Sequence, residues 1–192
     1  WLWATSFSSV NNGSNEVAGI STDISTGDII ASVTNRGETN YGIININTSD
    51  TDVVLLNVDS NSGNVNWAIS TGGIGSDTAG DVVVDMAGKA WQLAATDGTF
   101  NGGGGNSHQA VSNQDAVIVE WSLSQSGAVV TGVMGIASGA GEINLASDIE
   151  VDVYGDIYAT GIFKGTINLG GQMTVSTTSA QSDYDLFALK VS

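Results

Sequence analysis

The chain has 192 residues, 41% of them hydrophobic, with 26 glycines and neither proline nor cysteine. That length suits one domain able to bury roughly 70% of its unfolded surface, and disulfides play no part in holding it together. Twenty acidic residues against four basic ones (Arg36, Lys89, Lys164 and Lys190) give a formal charge of −16, which excludes the dense phosphate contacts of a nucleic-acid binder.

The same charge disfavours anionic membranes and phosphorylated substrates and leaves metal ions and basic partners open. Acidic surfaces rich in Ser, Thr and Asn are common in salty extracellular settings. No apolar run reaches the length of a membrane span, so membrane insertion is not expected. A start at Trp1, without Met or a basic leader, reads as a processed mature chain or an excised segment.

Three related stretches follow one another, at residues 1–64, 65–129 and 130–192. The first contains Trp1-Leu2-Trp3, then Asp23-Ile24-Ser25-Thr26-Gly27, then the strand run Asp52 to Val58. The second contains Asn66-Trp67-Ala68, Asp85-Met86-Ala87-Gly88 and Asp115 to Leu123. The third contains Val130-Thr131-Gly132, Asp152-Val153-Tyr154-Gly155 and Asp185 to Lys190. Trp3 and Trp67 are 64 residues apart, one third of the chain. Periods of this size are the signature of repeat architectures.

Within each copy the apolar runs are short, β-branched or aromatic, and bounded by Gly, Asn, Asp and Ser, which predicts strands. In the second copy the expected strands are Asn66 to Ser70, Asp81 to Asp85, Lys89 to Ala95 and Ala116 to Leu123. No window carries the apolar stripe of a helix. Asp-x-x-Gly between the second and third strands predicts a tight hairpin: Asp bonds the backbone two residues on, and Gly supplies a left-handed φ. The first copy has one more residue there, which a bulged turn can absorb. A long loop containing Asn101-Gly102-Gly103-Gly104-Gly105-Asn106 separates the third and fourth strands.

Four antiparallel strands per tandem unit is the pattern of a β-propeller blade. Trp67-Ala68, Gly72-Gly73-Ile74-Gly75-Ser76-Asp77 and Val83 to Gly88, with Tyr158 to Gly165 and Ser182 to Lys190 in the third copy, resemble the bacterial and archaeal SBBP-type β-propeller repeat. In the first copy Asn35-Arg36-Gly37 replaces the usual Gly-x-Phe, and Gly132 stands where a Trp is expected. The resemblance implies a secreted or cell-surface protein and a non-enzymatic module. Closed propellers use about four to eight blades, so three copies imply part of a larger ring, an association of two copies, or an open array. A three-fold β-prism or trefoil is the rival all-β architecture.

Asp23, Asp85 and Asp152 recur in register, as do Asp52, Asp115 and Asp185. Calcium or a catalytic pair could use such carboxylates, but a catalytic pair has to break the symmetry of a repeat. Recurrence therefore assigns the first set, with Gly27, Gly88 and Gly155, to turns, and the second to the polar entry of a strand. Trp3 and Trp67 are assigned to packing between neighbouring units.

Asn57-x-Asp59-x-Asn61-x-Gly63 has the alternating oxygens of a calcium loop, but its Gly comes one residue late and the twelfth position is Ala68 rather than Glu. A polar hairpin is expected there. Calcium, through Asp59 and Asn61, is the one cofactor the sequence leaves open. His108, the single histidine, lies in a Gly-rich loop beside Ser107, with nothing in sequence to make it part of a triad or zinc site. Gly102 to Gly105 lacks the Lys-Ser/Thr of a phosphate-binding loop. Trp121, between Glu120 and Ser122, is expected to be exposed, and with His108 forms the candidate partner surface.

These features predict an all-β, propeller-like scaffold or interaction module without enzymatic activity. Its expected partners are protein, a cell-surface polymer or further copies of itself. The rival functions are a structural subunit of an extracellular filament or surface layer, and a carbohydrate-binding or carbohydrate-cleaving propeller.

Overall fold

With no proline and few long runs of helix formers, the chain satisfies its backbone polar groups by pairing strands. The computed structural model describes residues 2–111, 113–138, 144–169, 173–176 and 183–191. Among these it is all-β, without a helix. Its strands in chain order are β1 (Ser8–Thr22), β2 (Ile29–Tyr41), β3 (Ile44–Val58), β4 (Val65–Ile74), β5 (Asp77–Val84), β6 (Lys89–Thr96), β7 (Thr99–Gly103), β8 (Asn106–Gln109), β9 (Asp115–Ser124), β10 (Gly127–Ser138), β11 (Asn144–Val151), β12 (Ile157–Phe163), β13 (Thr166–Asn168), β14 (Thr174–Ser176) and β15 (Asp185–Val191).

They form three antiparallel sheets. Sheet 1 has the order β1-β2-β3-β4-β7-β8, sheet 2 the order β14-β13-β10-β9-β6-β5, and sheet 3 the order β11-β12-β15. The grouping differs from that of the sequence copies by one strand. β4, which holds Trp67 and opens the second copy, pairs with β3 of the first, and β10 likewise pairs with β9.

Alternation along the strands gives each sheet two apolar faces, and the sheets stack through them. Ile30, Val53 and Leu55 of sheet 1 meet Val82, Ala94, Val117, Val119 and Trp121 of sheet 2. Leu93, Ala116, Ile118 and Ile136 on the opposite face of sheet 2 meet Ile149, Ile157, Phe163 and Phe187 of sheet 3. A third cluster, Ala31, Val33, Tyr41, Val54 and Leu56, lies on the outer face of sheet 1, with Phe7 packed against it.

The glycine-rich loop of the second copy folds into the β7–β8 hairpin, whose Thr99 to Asn101 pair with Ile74 to Gly72 at the end of β4. The third copy repeats the device. There β13 pairs with Ala137 and Ser138 at the end of β10. In the first copy Glu38 to Asn40 pair with Val10 to Ser8, residues that lie 64 positions before Gly72 to Ile74. Each unit therefore grips the tail of the strand that precedes it.

The strand expected ahead of Asp23 is the last part of β1, which reaches back to Ser8 and bends at Asn11 and Asn12, both at positive φ, where the register shifts between Val10 and Ser14. Asn tolerates this region better than most residues.

Candidate functional site

The recurring turn acids are spent on the backbone. Oδ1 of Asp23, Asp85 and Asp152 accepts from the N–H two residues on, at Ser25, Ala87 and Tyr154, over 2.8–2.9 Å. Oδ2 of Asp85 takes the Trp91 Nε1 hydrogen, and Oδ2 of Asp152 takes the Tyr158 hydroxyl. Gly27, Gly88 and Gly155 sit at φ of 78°, 79° and 86°, as the turn requires. In the first turn Gly27 N–H reaches back to Asp23 O, four residues rather than three, and this accommodates the extra residue. Burial pushes the Asp23 and Asp152 carboxyls up, but the hydrogen bonds they accept outweigh it and hold both below the usual range.

Asp59 is used in the same way. Its Oδ1 accepts from Asn61 N–H, Ser62 N–H and the Ser62 hydroxyl, the Ser62 bonds chiefly keeping its carboxyl low. Among the described residues no three His, Asp or Glu side chains converge to hold a metal ion. Asp59 and Asn61 border an open polar hollow with Asp28 and Asn66.

Of the acids expected at strand entries, Asp115 and Asp185 do open β9 and β15, but Asp52 lies in the middle of β3, which begins eight residues earlier at Ile44. Asp52 sits on β3 facing Asp77 at the start of β5, and both approach Gly72. A Cβ on Gly72 would stand 2.2 Å from Asp52 Oδ1 and 2.7 Å from Asp77 Oδ2. Asp77 is fully buried. Its Oδ2 accepts from Gly73 N–H at 2.8 Å, and its Oδ1 has no hydrogen-bond partner. Burial first, then the charges of Asp77 and Asp50, push the Asp52 carboxyl up to about 6. Burial likewise raises Asp77, against the hydrogen bonds from Thr96 and Gly73.

The equivalent place between sheets 2 and 3 is built from different residues. Asp115 corresponds to Asp52, and Asn144 to Asp77. Asn144 Oδ1 accepts from Ala116 N–H at 2.6 Å, and its Nδ2 approaches Asp115 Oδ1 at 3.5 Å. Asp115 Oδ2 binds His108 Nε2 at 2.9 Å and accepts from Val111 N–H at 3.1 Å. The His108 ring lies on Gly135 of β10, where a Cβ would come within 2.0 Å of it. His108 thus reaches across from the β7–β8 hairpin to the entry of β9. Asp185, the third member, sits at the start of β15 opposite Phe163.

A further acid pair lies where β1, β5 and β11 adjoin. Gly19, Asp81 and Asp148 hold corresponding positions, and a Cβ on Gly19 would stand 2.2 Å from Asp81 Oδ1. Burial raises the Asp81 carboxyl, and a hydrogen bond with Asp148 and its charge add to this, against the Val82 N–H. The sequence signal for this pair was a single Asp before each apolar run, visible only once the copies are aligned.

The aromatic assignments divide. Trp3 Nε1 donates to Ser60 O at 2.8 Å and Trp67 Nε1 to Ser124 O at 3.1 Å, with donors and acceptors both 64 residues apart. Trp3 ties the segment before β1 to the β3–β4 turn, and Trp67 ties the start of β4 to the β9–β10 turn. Trp121 corrects the expectation of an exposed aromatic, for it is 0% exposed. Glu120 and Ser122 point to the opposite face of β9, so polar neighbours in sequence said nothing of the face that sheet 1 covers. Its Nε1 donates to Gln92 Oε1 at 3.1 Å.

Among the described residues no helix is long and apolar enough to cross a membrane. Comparison with protein-family models and with curated proteins finds no match to this chain.

Proposed function

We propose that the chain is a secreted or cell-surface, non-enzymatic interaction module, a propeller-like scaffold of the SBBP-repeat kind that associates with further copies of itself. The observation that carries this is the use of its conspicuous residues. The turn acids, Asp59, Trp3 and Trp67 are all engaged in holding turns and tying segments to them, while among the described residues one edge of sheet 3 stays open.

The carbohydrate-cleaving alternative finds less support. Glycosidases place their two carboxyl groups about 5 Å or more apart to admit a sugar and a nucleophile or water. Asp81 and Asp148 are close enough to hydrogen-bond each other. Burial of Trp121 also removes it as a platform for a sugar ring. A glycan array and a hydrolase screen, run beside co-purification of an untagged copy with a tagged one, test the proposal. Self-capture without glycan binding or hydrolysis is expected. Hydrolysis, or glycan capture by a chain that ignores its own copies, would overturn it.

A further inference from the structure

Sheet 3 is built like sheets 1 and 2 but stops a strand short. β3 carries β4 on its edge and β9 carries β10, whereas β15 pairs, among the described residues, with β12 alone. An unpaired edge is a template for another strand. Among the described residues no strand covers the face beyond it either. Leu186 and Ala188 take the places of the buried Ala116 and Ile118, yet Leu186 is 81% exposed and lines a groove with Thr160, Gly161 and Ile162.

The complement is at the other end of the chain. Leu2 to Phe7 lies on the outer side of sheet 1, with Trp3 bonded to Ser60 and the Phe7 ring 5.1 Å from that of Tyr41. Trp67 anchors β4 on sheet 2 by the corresponding bond to Ser124. Leu2 to Phe7 thus holds, against sheet 1, the place that β4 holds against sheet 2, and among the described residues no strand is paired along it.

We propose that a second copy of this chain adds its Leu2 to Phe7 segment to the β15 edge, and that two copies doing so reciprocally close a ring of six sheets. This rests on the reading of the chain as a self-associating module and names the strand and its register. Asn57 pairs with Trp67 and Val54 with Ser70; Glu120 pairs with Gly132 and Val117 with Gly135. Carried over by the repeat, both sheets give one answer: Trp3 opposite Lys190, Thr5 opposite Ala188 and Phe7 opposite Leu186. Trp3 and Phe7 already face their own sheet 1. The donated strand therefore brings that sheet onto the open Leu186 and Ala188 face, as sheet 3 covers sheet 2. A head-to-tail interface that closes forms a ring, and six sheets fall within the range of closed propellers.

The absence of cysteine makes cross-linking a clean test. Thr5→Cys with Ala188→Cys places two exposed side chains directly opposite, about 5 Å apart at Cβ. Thr5→Cys with Ser147→Cys separates them by three strand spacings, about 14 Å, beyond the reach of a disulfide. Mild oxidation should convert the first variant to a covalent dimer and leave the second unlinked, each variant's fold being checked by circular dichroism. Assembly with no in-register link, or with both pairs linking equally, overturns the strand donation while self-association stands. A monomer at every concentration overturns both, and a ladder of higher oligomers overturns the closed ring.

Discussion

Asp77→Asn should stabilise the protein, and the gain should depend on pH. The structure supplies its own comparison, because Asn144 occupies the corresponding place between sheets 2 and 3 and approaches Asp115 with its Nδ2. Asp77 has instead a carboxylate oxygen, Oδ1, that is buried and without a hydrogen-bond partner. An Asn there keeps an oxygen for the Gly73 N–H and removes one of two facing acids.

The Asp52 carboxyl is raised from 3.8 to about 6. At about 1.4 kcal/mol per unit this sets a ceiling of roughly 3 kcal/mol. Asp52 is partly exposed, and solvent screening reduces the figure to about 1–2 kcal/mol. A carboxyl raised in the folded state contributes stability that is fully present below its unfolded value and is lost as pH rises through the folded one. The native protein should therefore weaken between about pH 4 and 6. Burial, the first cause of that shift, persists in Asp77→Asn and only the Asp77 charge is removed. The variant should then match the native protein below this window and exceed it above by about 1 kcal/mol at most, roughly 2–4 °C in Tm for a domain of this size. Thermal unfolding of both proteins at equal concentration across that window is the assay. Equal destabilisation at every pH would refute the reasoning.

Trp121→Ala and Trp67→Ala should each cost about 3–5 kcal/mol, since both rings are buried in the core shared by sheets 1 and 2; an unchanged melting curve for Trp121→Ala would contradict its placement. Asp85→Ala removes the acceptor of three hydrogen bonds and should lower stability by about 1–3 kcal/mol, whereas Asp85→Asn should recover part of it. Because the Asp59 carboxylate is already engaged by its own turn, chelation with EDTA followed by added calcium should leave Tm unchanged, and a calcium-dependent rise would contradict that account of the loop.

The sequence announced its period, its turns and most of its strand cores, because these depend on neighbours a few residues apart. Asp85 and Gly88 set a local hydrogen-bonded ring and can be read in place. The first half of β1 could not be, since its Ser, Asn and Gly are held by β2 rather than by their own propensity. Long-range geometry also hid the burial of Trp121 and the contact of His108 with Asp115, which depend on what crosses from another sheet. Asp77 and Asn144 were invisible as a contrast until the strands that carry them were known to be equivalent. The ownership of β4 lay equally beyond local pattern, because an apolar strand does not name its partner.

The central claim is that another copy fills the open edge of sheet 3. Light scattering of the unaltered chain over a dilution series measures this directly. The account predicts a species of twice the 19.5 kDa chain mass, strengthened by salt that screens the −16 charge of each copy. A mass of one chain at all concentrations and salt conditions would contradict it.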